Sequence, residues 1–524
     1  MNPLIGTTAA VRGDEPAVVD GQGTTTTWAA LDERSLRLGA ALREVGLEPG
    51  DRVVAMLGNQ VELVELSLAC ALSGLVLVPL NWHWVAPEVA YVIDDAEPAS
   101  VVTDERWLDV VGGALDRASS SPASRIVVGS GVADGWRAYE DVVADGDPAG
   151  PPDPVKGGPM FYTSGTTGHP KGVRSSLTKV GGPAEMFVLM AHSLGPTLGV
   201  DPAGPGEGRA PPVQLICGPM YHSAQWVFAH FALLCGTGLV LQHRFDADEV
   251  LTLIDRHEVT NIHLVPTQMS RLLGLPEERR ATFSGASLRN VLHGAAPCPP
   301  SVKRALIDWW GPIVTEYYGG TEGGFISVIS SEEWLDRPTS VGRPLPIIEL
   351  GIADEGGAAA GVGETGEIWF RNLLGSDFEY HNAPEKTSSA HRPDGAGTLG
   401  DVGFLDSDGY LHLADRKIDM VVSGGVNIYP AEAERILLLH PGVLDVACIG
   451  VPNDDMGEEL KALVIPRDPA NPPSADELIA FCREQLAHFK CPRTVDFVTD
   501  FPRQDNGKVA KTLKARQLWE RIGF

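Results

Sequence analysis

Cysteine is scarce in this chain, and the few thiols share no common task. Seven cysteines among 524 residues are scattered, with no C-x-x-C pair and no His/Cys spacing suited to a metal. That pattern excludes a disulfide scaffold or zinc module and fits a reduced, cytoplasmic protein. Positive charge is also short. Lys and Arg total 41 against 69 Asp and Glu, a formal charge of −28, and no basic cluster interrupts the balance. Nucleic acid and anionic membrane surfaces are therefore not expected partners. Long hydrophobic runs are missing too. The most apolar stretch, Leu66 to Leu80, is too short to cross a bilayer and is broken by Ser73 and Gly74, so it predicts a buried helix followed by the strand "LVLVPL". No integral membrane segment is expected. The opening "MNPLIGTTAAVRGDEPAVV" has no positive region ahead of an apolar one, and no secretory signal is read there.

What is present is an ordinary globular composition, 43% apolar and 21% charged, in a chain long enough for at least two domains, since single cores seldom exceed ~250–300 residues. Helical patterns such as "WAALDERSLRLGAALREVG" alternate with short apolar strands such as "RVVAML" and "SVVTD", the rhythm of α/β units around parallel-rich sheets. From Gly366 to Asp415 strands and turn residues dominate, predicting a β-rich subdomain. After "DRKIDMVVSGGVNIYP" a small α+β unit begins: a helix near Pro430, strands "LDVACIGV" and "ELKALVIP", and a Ser474/Glu477 capping box opening a helix through Ala487. The expected division is a large domain over 1–415, a hinge at 416–419 and a small mobile domain over 420–524.

The stretch "FYTSGTTGHPKGV", Phe161 to Val173, concentrates glycines, hydroxyls and one lysine. Such a loop lets backbone N–H groups approach a phosphate unobstructed. It is not a Walker loop, because Lys171 follows Pro170 and precedes Gly172; by itself it is either another phosphate cradle or a bare surface loop.

Four further motifs follow in order: "YYGGTEGG" from Tyr317, "TLGDVGF" from Thr398, "ADRKIDMVVSGGVNIYP" from Ala414 and "PRQDNGK" from Pro502. With the glycine-rich loop they resemble the adenylate-forming superfamily of acyl-CoA synthetases, luciferases and peptide-synthetase adenylation domains, along nearly the whole chain. The resemblance implies ATP, Mg2+ and CoA as cofactor and co-substrates. Thr163, Ser164, Gly165, Thr166, Thr167, Gly168 and Lys171 would hold the β- and γ-phosphates. Tyr318 would offer its ring to adenine and Glu316 an acceptor to the exocyclic amine, with Tyr317 and Gly319 in the same nucleotide-binding set and Gly294, Ala295 and Ala296 as the opposite wall. Thr321 would contact the α-phosphate, Glu322 would bind magnesium, and Asp401 would accept from the ribose hydroxyls with Arg416 beside it. Lys508 would bridge the substrate carboxylate and the α-phosphate. His222 stands where the family often has a residue between the ATP and acyl pockets, a core histidine being the rival reading; Trp226 and Gly320 would help wall the acyl pocket. Ser423, Gly424 and Gly425 would line the CoA entry.

Two places depart from the usual pattern. Ile418 occupies the hinge position where the family commonly carries Asp or Lys, so transfer to a thiol is less directly implied than adenylation. Glycines around Tyr318 and after Glu322 leave room for a bulky acid, and the local wording resembles synthetases for fatty, steroid or other polycyclic acids. The leading expectation is an AMP-forming acyl-CoA ligase, a monomer or homodimer, free-standing because no carrier domain follows Phe524. The alternatives are an enzyme that stops at acyl-AMP and passes it to a carrier protein or partner enzyme, and a non-catalytic nucleotide-binding regulator. Luciferase-type oxidation would share the same first step.

Overall fold

The computed structural model describes residues 2–130, 134–163, 170–175, 179–200, 210–295, 298, 300–354, 356–416, 421–428, 430–453 and 455–499. The predicted buried helix is Val61–Ser73, followed by the strand Val76–Pro79. Gly74, at φ +72°, closes the helix, since a residue without Cβ takes the left-handed cap at no steric cost. That helix packs against Trp28–Glu44, whose first turn is capped by Thr27 accepting from the Ala30 N–H at 3.3 Å. Trp28, Leu31, Leu38, Leu42, Leu66, Leu68 and Leu72 from the pair lie in one buried cluster. Among the described residues no helix is long and apolar enough to cross a membrane.

Four sheets are present among the described residues, of 13, six, five and three strands. The six-stranded sheet is parallel throughout. The largest sheet changes character midway. Its strands Gly238–Leu241, Val213–Ile216, Asn261–Leu264, Asn290–His293 and Val314–Gly320 run parallel, whereas Gly324–Ile329 and the strands beyond it pair antiparallel. The α/β fold and the β-rich segment expected from the sequence are thus joined in one continuous sheet. The chain leaves it at Arg416, and the strand Val421–Ser423 belongs to the five-stranded sheet of the small α+β unit. Ile418 lies outside the described residues.

One helix is shorter than expected. The Ser474/Glu477 capping box forms, but the helix spans Ala475–Arg483 rather than reaching Ala487. Ala487 is extended, and a short 3-10 turn, His488–Lys490, follows. The reason is tertiary. Ala487 turns its N–H to Glu88 of the large domain, at 2.7 Å, and is itself fully buried among that domain's aromatics.

Candidate active site

Parallel strands in open α/β sheets present ligands at their carboxyl ends, and the motif residues gather there. The strand Asn290–His293 ends at Gly294 and Ala295. A Cβ on Gly294 would stand 2.6 Å from the Tyr317 ring and 2.8 Å from its carbonyl oxygen, so only glycine lets the two strands close up. Ala295 takes φ +66°, an unusual conformation for a residue with a side chain. Next to it, Val314–Gly320 runs straight through "YYGG" before turning over Thr321–Gly323.

Successive side chains on a strand face opposite ways, and the two tyrosines show it. Tyr317 points into the main core, its hydroxyl 3.1 Å from His263 Nε2 and its ring 4.9 Å from Phe325. Tyr318 faces the β-rich side, and its hydroxyl donates to Asp401 Oδ2 at 2.9 Å. Both partners of that bond are buried. Asp401 sits directly across from Arg416 in the strand pair Gly397–Leu405 and Leu411–Arg416. Of the two tyrosines, Tyr318 is brought to Asp401 and Tyr317 is not. Glu316, on the Tyr318 side, is bound at 2.7 Å by the buried Lys303 ammonium; burial pushes its carboxyl up from the ordinary range, while Lys303 opposes that shift.

The glycine-rich loop springs from a hairpin, Phe161–Thr163 against Lys171–Arg174, with Lys171 opposite Thr163. Ser164, Gly165, Thr166, Thr167 and Gly168 lie outside the described residues, as do Ala296 and Lys508. A third strand, Glu379–Tyr380, pairs with the hairpin through Val173 and Tyr380. The Tyr380 hydroxyl then donates to Glu322 Oε1 at 3.0 Å. Lys386 stands over the Tyr380 ring, its Nζ 3.9 Å from the centroid, and makes no ion pair within 4 Å among the described residues. Burial lowers the pKa of Lys386, Glu322 raises it and Lys171 lowers it again, so the three charges act on one another. Sequence inspection missed Tyr380 and Lys386. Neither belongs to a motif, and only strand pairing carries them to Glu322.

Thr321 is fixed from the other side by Ser223 Oγ at 2.9 Å, the first residue of the helix Ser223–Leu234. His222 precedes that helix. The residue is exposed, yet the protein surrounding it and the nearby His83 push its pKa down to about 4, which keeps the imidazole neutral near pH 7. Tyr221 lies 4.6 Å from it and 4.7 Å from Trp82. Trp226, one turn further on, stacks 4.0 Å from His230 and donates to Ser67 Oγ at 3.1 Å; it is a core residue behind Phe161, not an open wall.

On the small domain, Ser423 is buried and Gly424 and Gly425 take φ +60° and +78°. The turn is seated on the large domain: a Cβ on Gly425 would lie 3.1 Å from Val265 and 3.3 Å from Thr267, just beyond the strand Asn261–Leu264. Arg271 adds an ion pair to Asp455 at 3.7 Å.

Comparison with known proteins agrees with this geometry. Residues 6–374 match the AMP-binding enzyme family and residues 432–508 the AMP-binding enzyme C-terminal domain.

The chain belongs to the AMP-binding enzyme family.

The resemblance carried by the five motifs is therefore confirmed. A feruloyl-CoA synthase from Amycolatopsis sp is 33% identical over 93% of both chains. A 3-[(3aS,4S,7aS)-7a-methyl-1,5-dioxo-octahydro-1H-inden-4-yl]propanoyl:CoA ligase from Rhodococcus jostii is 31% identical over 96% of this chain and 95% of its own. Among solved structures, the amide bond synthetase McbA from Marinactinospora thermotolerans superimposes with TM-score 0.84, 29% identity and 99% coverage of both chains. The o-succinylbenzoate CoA synthetase MenE from Bacillus subtilis matches twice at 26% identity. A double mutant of that enzyme, bound with the product analogue OSB-NCoA, gives a TM-score of 0.82, covering 99% of this chain and 98% of that one. Its complex with the acyl-adenylate OSB-AMP gives 0.66, covering 98% and 97%.

Proposed function

We propose that this protein is an AMP-forming acid–thiol ligase that activates a bulky hydrophobic or polycyclic carboxylic acid with ATP and transfers the acyl group to CoA. The observation that carries the reading is that the strand Val314–Gly320 and the turn after it bring together two units: the Tyr318–Asp401 pair, suited to a nucleoside, and Glu322 with Lys386 and Lys171 acting on its charge, suited to the phosphates. Relatives named for CoA ligation match along nearly the whole chain.

In this reading the Tyr318 ring stacks on adenine, while Asp401 accepts from the ribose hydroxyls with Arg416 beside it. Gly294, Ala295 and Ala296 face the base. Glu316 reaches the exocyclic amine with Oε1, because Lys303 holds Oε2. Thr163 through Gly168, Lys171 and Lys386 carry the β- and γ-phosphates. Glu322 fits magnesium: one carboxylate oxygen is used by Tyr380 and a hard anionic donor remains. When bound there, the ion would neutralise charge on the departing pyrophosphate. The acid's carboxylate oxygen attacks the α-phosphorus, with Thr321 and Lys508 at that phosphate, and pyrophosphate leaves. The CoA sulfur then attacks the acyl carbon, and AMP leaves. His222 acts as a neutral hydrogen-bonding ring between nucleotide and acyl group. Ser423, Gly424 and Gly425 border the thiol's path, and the small domain, 420–524, turns about 416–419. Six of the seven cysteines are buried, which suits a cytoplasmic enzyme.

The test is incubation with Mg-ATP and short, long, aromatic and polycyclic acids, with and without CoA, followed by mass spectrometry. Acyl-CoA from aromatic or polycyclic acids is expected. Acyl adenylate that persists despite CoA would overturn the ligase step, and selectivity for acetate would overturn the assigned acid class.

A further inference from the structure

A buried ionic cluster joins the two domains. Lys490, in the 3-10 turn His488–Lys490 of the small domain, binds Glu432 Oε2 at 2.7 Å and Glu88 Oε1 at 3.2 Å. Glu432 belongs to the small domain, at the start of its helix Pro430–Leu437. Glu88 belongs to the large-domain helix Ala86–Ala96. The three side chains are only 4%, 2% and 6% exposed. Glu88 is fully committed, since its Oε2 also accepts the Ala487 N–H at 2.7 Å and the Val85 N–H at 3.2 Å. Lys490 lies 5.2 Å from the Trp84 ring centroid, and Phe489 lies 6.1 Å from His83.

The pair within the small domain is electrically complete without Glu88. Lys490 and Glu432 would travel together if that domain turned, whereas Glu88 would be left to water. Burying a second carboxylate beside one ammonium is unfavourable unless hydrogen bonds satisfy it; Glu88 Oε1 takes its donor from Lys490, and Oε2 adds the shorter Ala487 bond to the one it already has from Val85. The cluster is therefore specific to one domain arrangement. In that arrangement the Gly424–Gly425 turn rests on Val265 and Thr267, and the whole chain fits the product-analogue form of MenE more closely than its acyl-adenylate form.

We propose that Glu88 is a positioning residue for the thiol step, the large-domain seat that receives Lys490 and the Ala487 N–H and holds the small domain where acyl transfer to CoA occurs. This rests on the ligase reading above. Adenylation does not use the seat.

The experiment separates the half-reactions on the full chain by rapid mixing, with acyl-AMP formation followed in one and CoA acylation from supplied acyl-AMP in the other. Glu88→Ala slows CoA acylation at least tenfold and leaves the adenylation rate within twofold. Glu88→Gln, which keeps an acceptor for Ala487 and loses the charge, falls between Glu88→Ala and wild type and covers the case in which the alanine variant folds poorly. Equal losses in both half-reactions, or an unchanged acylation rate, would overturn the proposal. If the wild type forms acyl-AMP but never acyl-CoA, the ligase reading is what fails. The seat is then decided by pulsed dipolar distances between labels on the two domains: a shifted distribution in Glu88→Ala supports it, and an unchanged one overturns it.

Discussion

Removing one hydroxyl, by Tyr318→Phe, isolates what the nucleotide site gains from the Tyr318–Asp401 bond. The ring, its place in one buried cluster with Tyr380 and Val173 and any stacking on adenine remain, while the 2.9 Å bond to Asp401 Oδ2 is lost. Both residues are under 10% exposed, so water replaces the lost donor poorly. A hydrogen bond to a charged group contributes about 1.5–3 kcal/mol, and loosening Asp401 would misplace the acceptor proposed for the ribose. Since ~1.4 kcal/mol is a factor of ten, kcat/KM for ATP should fall roughly ten- to a hundredfold. Most of the loss should appear in KM, because the contact forms before chemistry. Pyrophosphate–ATP exchange at varied ATP measures it, and CoA acylation from supplied acyl-AMP reports whether Asp401 still holds the same ribose. A kcat/KM within twofold of wild type would refute the reasoning, showing that Asp401 is held by other contacts or does not meet the nucleotide.

Lys386→Met keeps the packing over Tyr380 but removes the second ammonium facing Glu322; KM for ATP should rise about tenfold and inhibition by pyrophosphate should weaken in step, with partial recovery in Lys386→Arg, and unchanged pyrophosphate inhibition would dismiss the phosphate contact. Gly319→Ala places a Cβ 1.9 Å from the Gly324 carbonyl oxygen, so the turn carrying Thr321 and Glu322 must open at a cost of at least ~3 kcal/mol; a near-wild-type melting temperature would contradict the close approach. Acid should destabilise the fold through its buried histidines. Burial lowers His230 to about 4 and His263 to about 3, against roughly 6.5 in the unfolded chain, so the unfolded state takes up protons first as pH falls. Their contribution is fully present above pH ~6.5 and is lost towards pH 4, on the order of 1.4 kcal/mol per pH unit for each. Denaturant midpoints at pH 7, 6 and 5 measure the slope, and His263→Gln should flatten it; an unaltered slope would show that His263 in the fold takes up its proton in the same range as in the unfolded chain.

Local patterns settled a good deal in the sequence alone. The 3.6- and two-residue periods of apolar side chains marked the helices and strands, and turn residues marked the loops, because both depend on neighbours a few positions away. Five motifs in order identified the superfamily for a related reason: each is a short backbone shape with its donors attached, as in the "YYGG" strand. The sequence reading put Tyr317 and Tyr318 in one nucleotide-binding set, whereas strand alternation sends them to opposite sides and Tyr317 into the core. Only the tertiary structure decided the partners. Tyr318 and Asp401 are 83 residues apart, Tyr380 and Glu322 58, and Lys490 and Glu88 402. No periodicity relates positions so distant, and Lys386, Lys490 and Glu88 belong to none of the motifs. Burial made them specific. Once water is removed, a carboxylate must find its donors wherever the chain brings them, and strand order and domain docking, rather than local composition, determined which donors those were.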